Sequence, residues 1–227
     1  SYIANCFQIG LKILHNYSCA GLINGPISKK NFLKDKFLGI TEFLKSKVNK
    51  ENKVAMLIYN KKLSVSPITT HLPLKEVHKH ISQEKIINQV KLIKQFYKKR
   101  FNKDPIIAIT GLNPHCESNY KSSEEDKIIK PAIKHLLKKK YKINGPFAAD
   151  TIFMKEQSKK YDVIVGMYHD QVLPPLKTLM GFDAINITLG LPFIRISPDH
   201  GPNAAMLGKN LSDPKSLVKA LKFLDKK

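Results

Sequence analysis

The sequence lacks the features that mark several large protein classes. It has no tryptophan and only three cysteines (Cys6, Cys19 and Cys116), none of which forms a CxxC pair. An odd cysteine count without such pairs argues against a disulfide framework. No apolar stretch reaches the roughly 18 residues of a membrane span, and no export leader is recognisable. We therefore expect a cytoplasmic protein with no membrane partner.

Three familiar motifs are also missing. No GxGxxG occurs, so the usual dinucleotide-binding fingerprint is absent. No P-loop occurs, and no HExxH is present to support a zinc peptidase helix. A nicotinamide cofactor cannot be argued from these patterns.

Arginine is scarce in a strongly basic chain. The net charge is +21, yet Arg100 and Arg195 are the two arginines among 39 basic residues. Proteins that read nucleic acids rely on arginine for bidentate contacts and stacking. Here lysine is spread over most helical stretches. We therefore expect no nucleic-acid partner, although the charge keeps that hypothesis as a weak alternative.

Apolar runs alternate with helical patterns along the whole chain, which predicts an α/β fold with a mostly parallel sheet. The predicted strands are 19–24, 53–59, 62–68, 105–111, 162–167, 183–189 and 193–197. The predicted helices are 2–16, 74–99, 124–140, 170–180 and 213–225.

Four histidines each follow an apolar run: His71, His115, His169 and His200. Strands of an open α/β sheet bring their carboxyl ends to one crevice, so such histidines can converge. Neutral imidazoles could hold zinc or a similar divalent ion, while structural histidines are the alternative. Asp170 and Asp150 could orient the rings or, alternatively, begin helices as caps.

Three polar residues nearby suit an anionic ligand. Arg195 lies in the mostly apolar run "LPFIRIS", so it needs a carboxylate or phosphate partner. An internal acidic residue would serve equally. Lys177 follows "LPPL", and Asn186 interrupts an apolar strand, where its amide needs hydrogen-bond partners. The residues alone predict an α/β protein with a metal site that handles a small anionic substrate.

Five segments together resemble one enzyme family. They are "TTHLPL" (69–74), "GLNPH" (111–115), "NGPFAADT" (144–151), "MYHDQ" (167–171) and "NITLGLPFIRISPDHG" (186–201). In order and spacing they resemble the 4-hydroxythreonine-4-phosphate dehydrogenases of vitamin B6 synthesis. The resemblance implies an isocitrate/isopropylmalate dehydrogenase-like fold of three layers, which binds NAD without the glycine fingerprint.

The resemblance also implies a division of the chain. Residues 1–227 would form a partial dehydrogenase that lacks about the N-terminal third of the family's length. Residues 24–160 would form a substrate and dimerisation domain. Residues 161–227, with 1–23, would form the remainder of the cofactor-binding domain.

Roles are implied residue by residue. The metal ligands would be His71, His115 and His169, for zinc or else magnesium or cobalt. The substrate contacts would be Thr41, Lys177, Asn186 and Arg195. The acceptor of the hydroxyl proton is left open between Lys177 and a water held by Asp170 or Asp150. A homodimer with the active site at its interface would share the metal ligands between two chains.

The implied reaction is a metal-dependent oxidation of 4-phosphohydroxy-L-threonine by NAD or NADP. Loss of carbon dioxide then gives 3-amino-2-oxopropyl phosphate. Two residues depart from the family pattern: Ile40 of "GITE" replaces a histidine, and Pro202 replaces a hydroxyl residue in "DHGPN". They keep open a sister enzyme acting on D-threonate or D-erythronate 4-phosphate, and an inactive chain that only binds metal.

Overall fold

The computed structural model describes residues 2–28, 32, 37, 39–48, 53–117, 122–202 and 204–225. They form an α/β protein whose strands are mostly parallel, as the sequence predicts. The strands are β1 Leu22–Ile23, β2 Ala55–Tyr59, β3 Ser64–Thr69, β4 Ile107–Thr110, β5 Ile143–Phe147, β6 Val163–Tyr168, β7 Ile185–Leu189 and β8 Arg195–Pro198.

The helices follow the predicted pattern closely, with additional short segments. They are α1 Tyr2–Asn16, α2 Ile40–Val48, α3 Leu74–Val77, α4 Gln83–Phe101, α5 Lys130–Lys138, α6 Ala149–Ile152, α7 Lys155–Ser158, α8 His169–Met180 and α9 Lys215–Asp225. Short 3-10 turns cover His78–His80, Pro114–Cys116 and Ala204–Met206, and a π-helical turn, Glu125–Ile129, precedes α5. None of the described helices is both long and apolar enough to cross a lipid bilayer.

The chain divides into two compact units. The first contains Ser1–Ile58 and Phe182–Lys227, and the second contains Tyr59–Gly181. This differs from the division at 24 and 160 that the resemblance implies. Residues 161–181 belong with the middle of the chain because β6 pairs with β3 and β4.

The second unit is built on four parallel strands in the order β3-β6-β4-β5. β4 is buried along its whole length, and β6 is buried up to its last residue. Continuous apolar strands of this kind are typical of a parallel sheet covered on both faces. α8 lies close to β6 at Gly166, where an added Cβ would come within 2.3 Å of a Val172 methyl.

The predicted helix 74–99 is interrupted before α4 begins. The Ser82 side chain accepts a hydrogen bond from the Lys85 N–H at 3.2 Å, which caps a new helix start. α4 ends at Phe101, and the left-handed backbone of Asn102 (φ 49°) caps it. Inside it, buried Gln89 donates to Ser66 and to the Pro67 carbonyl, and so fixes α4 to β3.

In the first unit, the strand order is β1-β8-β7-β2. β1 is parallel to β8, and β7 is antiparallel to β8. α9 packs on β7 and β8, and its buried Ser216 donates to the Ala184 carbonyl at 2.6 Å. A second cluster centres on Phe7 of α1 and Leu44 of α2, with the Phe7 and Phe43 rings edge to face.

Candidate functional site

Two predicted metal ligands lie side by side in the second unit. β3 and β6 are parallel neighbours, with Thr69 opposite Tyr168. His71 follows the end of β3, and His169 follows the end of β6. Their ring centroids are 6.0 Å apart. The convergence predicted for histidines at strand ends therefore holds for this pair.

Asp170 orients one of these rings. Its Oδ1 lies 2.6 Å from Nδ1 of His169, at the exposed start of α8. A carboxylate on Nδ1 leaves Nε2 as the ring nitrogen for a ligand, as in many metal-binding histidines. Asp170 lies in the first turn of α8 rather than at its cap, which is Tyr168.

His115 lies in a turn with unusual backbone geometry. It has φ 55°, and Cys116 after it has φ 59°, both in the left-handed region. The ring is 74% exposed, and its Nδ1 lies 3.9 Å from Asp150 Oδ2. Both predicted aspartates therefore contact a predicted metal ligand.

The turn before His115 is anchored by Glu125, which is fully buried. Its Oε1 accepts the N–H groups of Leu112 and Asn113 at 2.7 and 2.8 Å, and Oε2 accepts from the Asn113 amide. Burial alone would raise the pKa of Glu125, but these hydrogen bonds outweigh it and lower the pKa below its ordinary value. Glu125 is thus an ionised support for this turn.

Gln171 connects the turn to the strand that leads to His169. It is 7% exposed, and its Oε1 accepts the Met167 N–H at 2.7 Å and the Thr110 hydroxyl at 2.8 Å. Its Nε2 donates to the Gly111 carbonyl at 2.8 Å. The Met167 carbonyl in turn accepts from Thr69 at 2.8 Å. The carboxyl ends of β3, β6 and β4 are therefore fixed to one another by hydrogen bonds.

The three predicted metal ligands do not form one cluster within a single chain. Across the residues with described positions, no group of three or more His, Cys, Asp or Glu residues could hold a metal ion. His71 and His169 form the pair, and His115 pairs with Asp150 instead. His200, the fourth histidine at a strand end, belongs to the first unit, where its ring packs edge to face on Phe182.

A second polar group lies in the first unit around Arg195. This side chain is 3% exposed. Its Nε donates to Asn24 Oδ1 at 2.8 Å, and Nη1 donates to Thr188 Oγ1 at 3.0 Å. Thr41, at the start of α2, has its hydroxyl 3.4 Å from that of Thr188. Thr41 and Arg195, both predicted substrate contacts, are thus joined through Thr188.

The charge of Arg195 is not neutralised by a contacting carboxylate. Within the described part of the chain its hydrogen-bond partners are neutral oxygens, and no carboxylate lies within ion-pair distance. Burial lowers the pKa of Arg195 to about 10, and the nearby charge of Glu42 partly opposes that shift. A buried guanidinium that bonds only to neutral oxygens favours the binding of an anionic ligand.

Asn186 extends the same surface of β7 and β8. Asn186 and Thr188 are two residues apart on β7, and Thr188 lies opposite Arg195 on the neighbouring antiparallel strand β8. Side chains two residues apart, and those directly opposite, share one face of a sheet. The Asn186 Oδ1 atom is buried and accepts no hydrogen bond from the residues that the structure describes.

The remaining predicted residues are placed as follows. Lys177 is half-buried on the last turn of α8, in the second unit. Ile40 is 7% exposed and packs with Phe7 and Leu44, so it contributes to the apolar cluster. Pro202 is exposed after β8.

Sequence reasoning missed the residues that support these groups. Gln171 and Glu125 lie within the predicted helices 170–180 and 124–140, and Asn24 lies at the end of the predicted strand 19–24. Apart from Met167, four residues before Gln171, the partners through which they support these groups lie 12 or more residues away along the sequence, so no local pattern identifies them. A glutamine directly after "HD", in an otherwise apolar helix face, was the one available signal for Gln171.

Comparison with known proteins identifies a family. Residues 1–224 match the model of the family described as pyridoxal phosphate biosynthetic protein PdxA. The 4-hydroxythreonine-4-phosphate dehydrogenase of Sulfurihydrogenibium sp. (strain YO3AOP1) is 46% identical over 206 residues, which are 89% of this chain and 63% of that protein. That of Xanthobacter autotrophicus (strain ATCC BAA-1158 / Py2) is 38% identical, over 95% of this chain and 64% of its own length.

A solved structure agrees with these matches. The 4-hydroxythreonine-4-phosphate dehydrogenase from Klebsiella pneumoniae superposes with a TM-score of 0.73 at 32% identity, over 89% of this chain and 63% of its own. The chain thus spans less than two thirds of the length of these three relatives.

Proposed function

The chain belongs to the pyridoxal phosphate biosynthetic protein PdxA family, and we propose that it acts as a 4-hydroxythreonine-4-phosphate dehydrogenase. The reaction is oxidation of 4-phosphohydroxy-L-threonine by NAD or NADP, followed by decarboxylation to 3-amino-2-oxopropyl phosphate. The observation that carries this proposal is the His71–His169 pair at the ends of two parallel strands. The names of the relatives support the reaction, and this pair supports its dependence on a metal.

The geometry of the pair suits a divalent ion such as zinc. Zinc–nitrogen bonds of ~2.0–2.1 Å in a tetrahedral site put two ligand ring centres roughly 5–6 Å apart, and the observed separation is 6.0 Å. Asp170 fixes the ring of His169 from the other nitrogen. An ion bound here would lower the pKa of the substrate hydroxyl and stabilise the charge that decarboxylation leaves.

A homodimer would complete the metal site. Two imidazoles leave at least one ligand position unfilled in a three-histidine site. His115 is held apart by its own turn and pairs with Asp150, so a ligand from a second copy would supply the missing position. This arrangement would locate the active site at the subunit interface.

The residues around Arg195 suit the anionic groups of the substrate. A guanidinium has five N–H groups, and two of those of Arg195 bond to described residues. The others can donate to a phosphate or carboxylate in charge-assisted bonds. Thr41 can add a hydroxyl contact. Fixed anionic groups would hold the carbinol hydrogen in position for transfer to the nicotinamide.

The candidate proton acceptors are Lys177 and a water held by Asp170 or Asp150. Asp170 bonds to the His169 ring, which favours an orienting role for it, whereas Asp150 lies 3.9 Å from the His115 ring, beyond hydrogen-bond distance. Lys177 is the candidate that could accept the hydroxyl proton directly, through its Nζ.

The direct test measures NADH formation by the purified chain with 4-phosphohydroxy-L-threonine, NAD⁺ and zinc. We expect turnover that a chelator abolishes and that His169→Ala removes. His135→Ala is the matched control, because His135 is an exposed residue of α5. Turnover that survives the chelator would contradict the metal-dependent mechanism.

The same assay separates the alternatives. Faster turnover of D-threonate or D-erythronate 4-phosphate would identify the sister activity. Ile40 does not favour it, because this side chain packs in the apolar cluster. Zinc binding without turnover of either substrate would identify a chain that only binds metal.

A further inference from the structure

The first unit holds two opposite charges that do not pair. Arg195 is almost fully buried, and Glu42, in the first turn of α2, has a buried Oε2 atom with no hydrogen-bond partner among the described residues. The two groups are close enough to influence each other electrostatically. They nevertheless form no ion pair in the described part of the chain, where such a pair would stabilise both. A buried carboxylate oxygen without a donor is costly, so the position of Glu42 Oε2 points to a ligand.

The chemistry of that ligand follows from the unsatisfied atoms. Glu42 Oε2 and Asn186 Oδ1 are both hydrogen-bond acceptors, and both are buried without a described donor. Arg195 supplies donors and a positive charge. Thr41 connects α2 to the Arg195 side of the sheet through Thr188. A molecule that satisfies this set must present an anion to Arg195 and a strong donor to the acceptors.

We propose that Glu42 binds the ammonium group of the substrate and makes the first unit selective for an amino acid phosphate over the corresponding hydroxy acid. The proposal rests on the proposed function for the identity of the anionic ligand. Glu42 thereby becomes a residue that determines specificity, alongside the contacts to anionic groups made by Arg195.

The physical basis is the difference between an ammonium and a hydroxyl. An ammonium has three N–H donors and a full positive charge, so it can form a charge-assisted hydrogen bond with the Glu42 carboxylate. A hydroxyl has one donor and no charge, so its hydrogen bond to the same carboxylate is weaker. A hydrogen bond to a charged group contributes about 1.5–3 kcal/mol, which corresponds to a preference of roughly 10- to 150-fold.

The experiment compares two ligands on three proteins by isothermal titration calorimetry. The ligands are 4-phosphohydroxy-L-threonine and D-threonate 4-phosphate, which has a hydroxyl where the first has its ammonium. The proteins are the unmodified chain, Glu42→Gln and Glu156→Gln. Glu156 is exposed on α7 in the second unit, so its variant changes the net charge equally without touching this region. Circular dichroism checks that each variant folds.

The expected result is that the unmodified chain and Glu156→Gln bind the amino ligand about tenfold or more tightly than the hydroxy ligand. Glu42→Gln should lose this preference, through weaker binding of the amino ligand alone. Equal weakening of both ligands would assign Glu42 a structural role and overturn the proposal. Equal binding of both ligands by the unmodified chain, or binding of neither, would overturn it too.

The outcome is separable from that of the proposed function. Selective binding of the amino ligand without NADH formation would refute the dehydrogenase activity and leave the role of Glu42 standing. NADH formation from both ligands, bound with equal affinity, would support the dehydrogenase activity and refute the role of Glu42.

Discussion

Replacing Gln171 with methionine should destabilise the second unit strongly. Methionine matches the length of glutamine but removes its amide, which makes three buried hydrogen bonds in the native protein. The Met167 N–H and the Gly111 carbonyl would lose these bonds, as would the Thr110 hydroxyl. Each buried group left unsatisfied costs about 1–3 kcal/mol.

The expected loss is about 3–5 kcal/mol rather than the full sum, because the Thr110 hydroxyl can rotate towards another acceptor. This is a large part of the ~5–15 kcal/mol by which most domains are stable. The measurement is the free energy of unfolding in urea, followed by circular dichroism. If the two units unfold in separate steps, the effect belongs to the transition of the second unit.

Hydrogen exchange of single backbone amides tests the role of Gln171 independently. The Met167 amide should exchange faster in Gln171→Met, because its acceptor is gone. Gln157→Met is the matched control, since Gln157 is exposed and bonds to Lys160. A loss below about 1 kcal/mol, with unchanged exchange at Met167, would refute the assigned role of Gln171.

Three further perturbations have defined outcomes. Folding lowers the pKa of Glu125 below 4.5, so the stability that Glu125 contributes is present above pH 4.5 and is lost as the pH falls through the folded pKa. Urea midpoints across that range should therefore fall more steeply for the native chain than for Glu125→Gln. Parallel curves for the two proteins would contradict this. Gly166→Ala forces a methyl into a valine side chain, so we expect a loss of about 1–3 kcal/mol in urea unfolding, whereas Gly25→Ala, in open space, should change little. Asp170→Asn should weaken zinc binding about 10–100-fold in calorimetry, while Asp213→Asn, far along the chain, should bind as the native chain does.

Much of the second unit could be predicted because its strands are continuous apolar runs. β6 ends where "VIVGMY" meets His169, and β3 ends just before His71, so the pairing of these two histidines followed from a parallel sheet. The burial of Arg195 was predictable for the same reason: it interrupts an apolar strand. These features depend on short, strongly patterned segments.

The elements that the sequence did not predict depend on tertiary contacts. β5 has the sequence "INGPF", which reads locally as a turn, yet pairing with β4 draws it into the sheet. α2 begins at Ile40. From the sequence, Ile40 reads as the replacement of a polar residue that contacts the substrate, whereas in the structure it packs against Phe7. Local propensity is a weak guide where the neighbouring strand or helix decides the conformation.

The residues that hold the candidate site in place could not be predicted from the sequence either. Glu125 holds the backbone of Leu112 and Asn113, and no spacing rule connects residues 12 and 13 positions apart across a turn. The Glu42 Oε2 atom, which has no hydrogen-bond partner among the described residues, can be identified only when the burial of single atoms is known. Sequence patterns find the residues that carry chemistry more readily than those that hold them in place.

The scarcity of arginine has a practical consequence for spectroscopy. A chain labelled with ¹⁵N-arginine would give two guanidinium Nε resonances, from Arg100 and Arg195. The Arg195 Nε–H is bonded to Asn24 and buried, so its proton should exchange slowly with water. Arg100 lies on α4, in the other unit. One resonance would thus report ligand binding in the first unit, and the other would serve as an internal reference within the same molecule.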